Sequence, residues 1–120
     1  MLKNVFYFSD ERGRYPVKEF IYSLSPSEQK KAISYLIALR DFGHNLHRPM
    51  ADYVTQGLYE LRPRANRIFY FFYLGESAVL VHAIRKTSDK LPERDIILAL
   101  KRKAKVEAER NAGLLAAEGI

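Results

Sequence analysis

The stretch Arg67-Ile68-Phe69-Tyr70-Phe71-Phe72-Tyr73-Leu74 decides the fold. Its interior is apolar at both sets of alternating positions, the pattern of a central strand covered above and below. Two further β-like runs flank it, Leu58 to Arg62 and Ala78 to Lys86. The connections, Pro63-Arg64-Ala65-Asn66 and Gly75-Glu76-Ser77, are short enough to force antiparallel neighbours. A three-stranded meander with two buried faces follows, and some other element must cover each face.

Upstream, Lys3-Asn4-Val5-Phe6-Tyr7-Phe8 is short, aromatic and β-branched and ends in the turn-prone Ser9-Asp10-Glu11-Arg12-Gly13, which predicts a first strand. Pro16 sits at a helix's first turn, ahead of Val17, Phe20, Ile21 and Leu24 at helical spacing. Ser25-Pro26-Ser27-Glu28 reads as a capping box: the Ser25 hydroxyl meets one orphan amide while Glu28 reaches back to another. Ile33, Leu36, Ile37 and Leu39 carry the second helix to Gly43. From His44 to Gln56 no periodicity shows, and a loop is expected. A last helix starts near Pro92 with Ile96, Ile97 and Leu100 on its apolar side and dissolves at Lys101-Arg102-Lys103. The fold class is therefore α+β, in the order β-α-α-β-β-β-α, with an antiparallel sheet packed against a helical hairpin. Residues 1–110 are expected to form a single domain and 111–120 a flexible tail.

A chain of 120 residues supports one modest core. Twenty Lys and Arg against fourteen Asp and Glu leave a net charge of +6, which favours an anionic partner. No cysteine is present, so disulfides, thiol nucleophiles and cysteine-held zinc are excluded. Met1 to Phe8 are too weakly apolar for a signal peptide, and no window has the length of a membrane span; a cytoplasmic protein is expected.

No Gly-rich phosphate loop, His-Glu-x-x-His helix or nucleophile elbow occurs. His44, His47 and His82 are scattered and the acidic residues do not converge at ligand spacings, so neither a metal nor another cofactor is assigned. What stands out is the placing of cations at strand ends: Arg62 and Arg64, Arg67 opening the aromatic strand, and Arg85-Lys86 closing the next. Antiparallel pairing brings them to one end of the sheet, where one anion could touch Arg62, Arg67 and Lys86 together. A solvated rim that blocks edge-to-edge pairing gives the same pattern. Cleaving RNA without a metal needs a base for the 2′-OH, a cation on the phosphorane and an acid for the departing 5′-oxygen. Arginine suits the cationic role, and crowding by Arg62, Arg67 and Arg85 makes Lys86 the candidate for proton exchange. Tyr59, Tyr70 and Tyr73 could stack a base, although aromatics in such strands are commonly core.

Gly57-Leu58-Tyr59-Glu60-Leu61-Arg62, the aromatic run from Arg67, and Leu80-Val81-His82-Ala83-Ile84-Arg85-Lys86 leading to Pro92-Glu93-Arg94-Asp95-Ile96 together resemble the RelE/ParE superfamily, in its HigB-like, phage-derived branch. The resemblance implies a type II toxin: a ribosome-dependent mRNA endoribonuclease neutralised by a helix-turn-helix, HigA-like antitoxin, with operator DNA bound only through the antitoxin complex. It carries over Arg62 and Arg67 for phosphate and transition-state contact and Lys86 for proton transfer, with Arg64, Arg85 and Lys90 as further phosphate-binding residues. The chain departs from its relatives in reading Thr87 where they have a second lysine and Leu91 before Pro92. It also has no tyrosine among Ala104, Lys105 and Val106. Two other readings share the fold or the charge: a ParE-like gyrase inhibitor without nuclease chemistry, and a non-catalytic basic nucleic-acid-binding module.

Overall fold

The structure is a computed structural model that describes residues 1–110 and 113–120. Among the described residues three helices and six strands form an α+β fold, with element order β1 (Asn4–Tyr7), α1 (Pro16–Ser23), α2 (Pro26–Phe42), β2 (Ala51–Thr55), β3 (Leu58–Leu61), β4 (Asn66–Tyr73), β5 (Ser77–Arg85), α3 (Glu93–Glu109) and β6 (Leu115–Ala116). One sheet contains all six strands in the order β2-β3-β4-β5-β1-β6. It is antiparallel except where β1 runs parallel to β5, with Tyr7 opposite Leu80.

The aromatic strand lies in the middle, as its two-faced apolarity requires. Ile68 and Tyr70 point to one side, into a core with Val17 and Ile21 of α1 and Ala32, Leu36 and Leu39 of α2. Phe69, Phe71 and Tyr73 point to the other, where Ala99 and Val106 of α3 close over them. Each face therefore has its own helical cover, and the chain supplies both. α3 does not dissolve at Lys101 but continues for two more turns, because Val106 is buried against the sheet and anchors the basic segment from beyond. Ile97, expected on its apolar side, is exposed. In α2 the buried stripe is Ala32, Leu36 and Leu39, and Ile37 instead lines a shallow groove on the outer surface with Ile33.

The stretch expected to be a loop, His44 to Gln56, holds β2. It pairs with β3 in a hairpin whose turn residues, Gln56 and Gly57, have φ of 50° and 80°. Two consecutive positive φ values make the primed turn that suits twisted antiparallel strands, and Gly57 supplies one of them without strain. Asp52 and the exposed Tyr53 hide this strand's signal, since an edge strand with one wet face buries little. A β-bulge between β4 and β5 sets Phe69 opposite His82 and Tyr70 opposite Leu80, which leaves Val81 as the extra residue.

Only half of the predicted capping box forms. The Ser25 hydroxyl accepts from the Glu28 amide at 3.3 Å, but the Glu28 carboxylate does not reach back to the Ser25 amide: Oε2 lies 3.3 Å from the Ser25 hydroxyl and Oε1 accepts from Arg85 at 2.8 Å. The expected flexible tail falls partly on residues 111 and 112, outside the described residues. Beyond them Leu115 and Ala116 pair with Tyr7 and Phe6, and the Ala117 amide donates to the Val5 carbonyl at 2.8 Å.

Candidate functional site

The β3–β4 turn and the C-terminal end of β5 meet at one end of the sheet. Leu61 pairs with Ile68 and Arg67 with Ile84, and the Lys86 amide donates to the Ala65 carbonyl at 2.7 Å. The Arg62 amide reaches the Met50 carbonyl at 2.8 Å, which ties the segment before β2 to the same corner. Strand pairing thus gathers residues from four parts of the chain.

Two open clefts lie at this corner. The first, about 430 Å³, is lined by Lys31, Tyr35, Arg48, Pro49, Arg62, Arg64 and Arg67, with five cations and no carboxylate. The second, about 500 Å³, is lined by Arg48, Arg62, Lys86 and Lys90 together with Asp52, Glu60, Asp89 and the exposed Tyr53. Arg48 and Arg62 line both, so they form the ridge between a strongly cationic cleft and a mixed one. The expectation that one anion meets Arg62, Arg67 and Lys86 resolves into two pairs: Arg62 with Arg67 on one side, Arg62 with Lys86 on the other.

Each cation is held differently. The Arg62 side chain makes one hydrogen bond among the described residues, from Nη1 to Glu60 Oε2 at 2.9 Å, and the rest of its guanidinium is unengaged. Arg67 is buried, and its Nη1 donates to the Arg64 and Asn66 carbonyls, each at 2.7 Å. Burial first, and then the neighbouring Arg62 charge, push Arg67 below the usual guanidinium range. Its donors brace the turn as much as they face the cleft. Arg64, at a φ of 58°, is exposed and donates to the Ser27 hydroxyl at 2.9 Å. Lys86 and Lys90 make no ion pair among the described residues. Arg85 lines neither cleft and pairs with Glu28, whose carboxyl that contact holds below its ordinary range.

Sequence reasoning did not single out Arg48 or assign a role to Glu60. Arg48 donates from Nε to Asp52 at 2.9 Å, and this contact lowers the Asp52 carboxyl. Asp52 stands directly opposite Glu60 across β2 and β3. Two cross-strand carboxylates therefore each carry one guanidinium to the ridge. Finding Arg48 from sequence required seeing β2, and the Gln56-Gly57 turn was the available signal. Of the tyrosines considered for stacking, Tyr70 and Tyr73 are buried and Tyr59 is packed between Tyr53 and Tyr70. The exposed ring at the clefts is Tyr53.

A second cationic region lies beneath α3. Arg102 donates to the carbonyl of the bulge residue Val81 at 2.8 Å, and its guanidinium sits 5.2 Å from the Phe8 ring centre. It also faces His82 Nδ1 at 3.4 Å, so that nitrogen accepts and Nε2 carries the proton donated to Asp95 at 2.7 Å. Burial outweighs the Asp95 contact and lowers the His82 pKa below its ordinary 6.5.

This fold, with its basic cleft at the ends of the central strands, is that of a small RelE-like α+β protein. The family model described as "Phage derived protein Gp49-like (DUF891)" matches residues 19–104, which span α2 to most of α3 and every strand of the cleft. The chain belongs to this Gp49-like family, within the RelE/HigB-like toxins. No curated protein matches it. Membership is consistent with the toxin of a toxin–antitoxin pair. Among the described residues no helix is long and apolar enough to cross a membrane.

Proposed function

We propose that the chain is the toxin of a type II toxin–antitoxin pair and acts in the cytoplasm as a ribosome-dependent mRNA endoribonuclease. The observation that carries this reading is the ridge cation Arg62, anchored at one nitrogen and otherwise unengaged, between a cleft of five cations and a cleft holding Lys86. A scissile phosphate on the ridge would receive the free edge of Arg62, with Arg48 beside it and the neighbouring phosphate in the cationic cleft with Arg64 and Arg67. The 2′-oxygen attacks phosphorus, its proton passes to a base, and the 5′-oxygen leaves with a proton, giving a 2′,3′-cyclic phosphate. Lys86 lines the second cleft and in this reading exchanges the proton, and Lys90 adds charge there. Tyr53 offers the exposed ring on which a base could stack.

The partners in this reading are messenger RNA on the ribosome and a HigA-like helix-turn-helix antitoxin, through which alone the pair would meet operator DNA. Family membership and the net charge of +6, which attracts an acidic segment, support the antitoxin. Mapping new RNA 5′ ends shortly after induced expression in bacteria tests the activity. Cuts confined to translated messages, and absent with Arg62→Ala, are expected. Growth arrest without new ends would replace this reading with gyrase inhibition, and no effect on growth or RNA would leave a binding module.

A further inference from the structure

Glu60 has the least expected environment in the molecule. A carboxylate in the middle of a four-residue strand is 5% exposed, one position from the fully buried Leu61. Burying a charge is costly unless partners compensate it. The partners here are two guanidiniums: Arg62 Nη1 at 2.9 Å from Oε2, and Arg67 Nε at 3.6 Å from Oε1. The second contact is too long for a hydrogen bond, and both Glu60 Oε1 and Arg67 Nε lack any partner. Glu60 is therefore bonded tightly to the ridge cation and only loosely to the cation that braces the turn.

Placement explains why this arrangement persists. Without an anion between them, Arg62 and Arg67 would repel each other at short range in a partly buried corner. An arginine side chain also has many rotamers, and holding it in one of them before substrate arrives removes an ordering cost from the binding step. Replacing the whole Glu60–Arg62–Arg67 cluster by apolar side chains of similar volume need not cost stability, so stability alone does not call for an ionic cluster here.

We infer that Glu60 is a positioning residue for the proposed RNA-cleaving site: its carboxylate fixes the Arg62 guanidinium on the ridge with its free edge toward the scissile phosphate. Glu60 itself touches no substrate. The inference rests on the proposed nuclease reading for its consequence in catalysis, and on the Glu60–Arg62 contact alone for its structural content.

Two substitutions and one spectroscopic measurement test it. Glu60→Gln removes a negative charge from the cleft, so a site working by bulk attraction should bind RNA as tightly as before or tighter. The positioning role predicts that split: RNA affinity at fixed salt is kept or raised, while single-turnover cleavage on programmed ribosomes falls about 10- to 100-fold, the size expected from misplacing a reacting group by an ångström. Loss of affinity and rate in parallel, with a lowered Tm, would mean a merely structural role and overturn the inference. Should Glu60→Gln fail to fold because Arg67 is left unbalanced, Glu60→Asp keeps the charge, withdraws the carboxylate from Arg62 by one methylene, and is expected to slow cleavage similarly. Side-chain ¹⁵N relaxation of the Arg62 Nε–H in the wild-type chain decides the matter without any variant. An ordered Arg62 supports the inference, and an Arg62 as mobile as the almost fully exposed Arg94 overturns it. If the wild type cuts no RNA but Arg62 is ordered and becomes mobile in Glu60→Asp, the nuclease reading fails while the positioning contact stands.

Discussion

Among the described residues two basic regions carry similar residues in different settings. Beneath α3, Arg102 donates to a strand carbonyl left over by the bulge and lies on the Phe8 ring. At the strand ends, Arg62 gives one nitrogen to Glu60 and keeps the rest free at a ridge between two clefts. Both arginines are partly buried and both lie close to another ionisable side chain. What separates them is the anchor and the surroundings. Arg102 gives Nη1 to a strand carbonyl and ties a helix to the sheet at a cleft where Asp10 and Glu11 offset Arg12, Lys101 and Lys105. Arg62 gives Nη1 to a carboxylate beside a cleft of five cations and no carboxylate. Positive charge on a surface is thus a weak guide to function, and a guanidinium anchored by a carboxylate beside an unbalanced cationic cleft is a better one.

Substitutions in the two regions should fail in different ways. The largest effect is expected at Arg62→Ala, with RNA cleavage on programmed ribosomes falling about 10²–10³-fold, the range seen when one donor to a transition-state oxyanion is removed. Circular dichroism should remain that of the wild type. Lys86→Met should follow with a loss of about 10²-fold if Lys86 moves a proton, and the pH profile of the remaining activity should lose one limb. Arg102→Ala should reverse the pattern, with cleavage at saturating ribosome near wild type but urea unfolding showing about 2 kcal/mol of lost stability, since a charged donor to a buried carbonyl disappears. If Arg102→Ala instead abolished cleavage in a fully stable protein, the contrast between the regions would be broken.

Arg85→Ala supplies a smaller effect. Its ion pair with Glu28 is exposed on the arginine side, and pairs near the surface contribute little. Double-jump unfolding should show little change, and cleavage should fall far less than for Arg62→Ala.

The subtlest difference is in pH. The folded His82 has a pKa below its ordinary 6.5, so between these two values the unfolded chain binds more protons than the folded one. Stability then rises with pH through that window, is fully present above 6.5 and is lost as the medium is acidified below it. His82→Gln should flatten this part of the stability profile, as read by denaturant midpoints at a series of pH values. Carboxylates such as Asp52, held low by Arg48, add their own loss at more acid pH. An unchanged slope in His82→Gln would mean that the buried His82–Asp95 pair does not set it.

The legible parts of this protein are those where one local pattern points to one structure. Ile68 to Tyr73 could only be a two-faced strand, Pro16 and Pro26 marked helix starts, and the cations at 62, 67 and 86 stood at strand ends that short turns brought together. The illegible parts depend on tertiary choices. Glu28 had a local partner in the capping box and an arginine 57 residues away, and it divides its two oxygens between the Ser25 hydroxyl and Arg85. β2 looked like a loop because an edge strand needs only one dry face, and Arg48 went unseen with it. Glu60 was visible as part of Glu-Leu-Arg, but its alternation with Leu61 gave no hint that both would be buried, since β3 is sandwiched where the guanidiniums converge. Candidate contact residues are readable from type and place; those that hold them are readable only once the strands are paired.

The most direct test of the central claim is single-turnover cleavage of a defined message by the purified chain, on programmed ribosomes and free in solution, beside Arg62→Ala. Rapid cutting on the ribosome with a 2′,3′-cyclic phosphate end, slow or no cutting of the free message, and loss of about 10²-fold or more in the variant are expected. Equal cutting by Arg62→Ala, or ribosomes that bind the folded wild-type chain while their message stays whole, would contradict the claim.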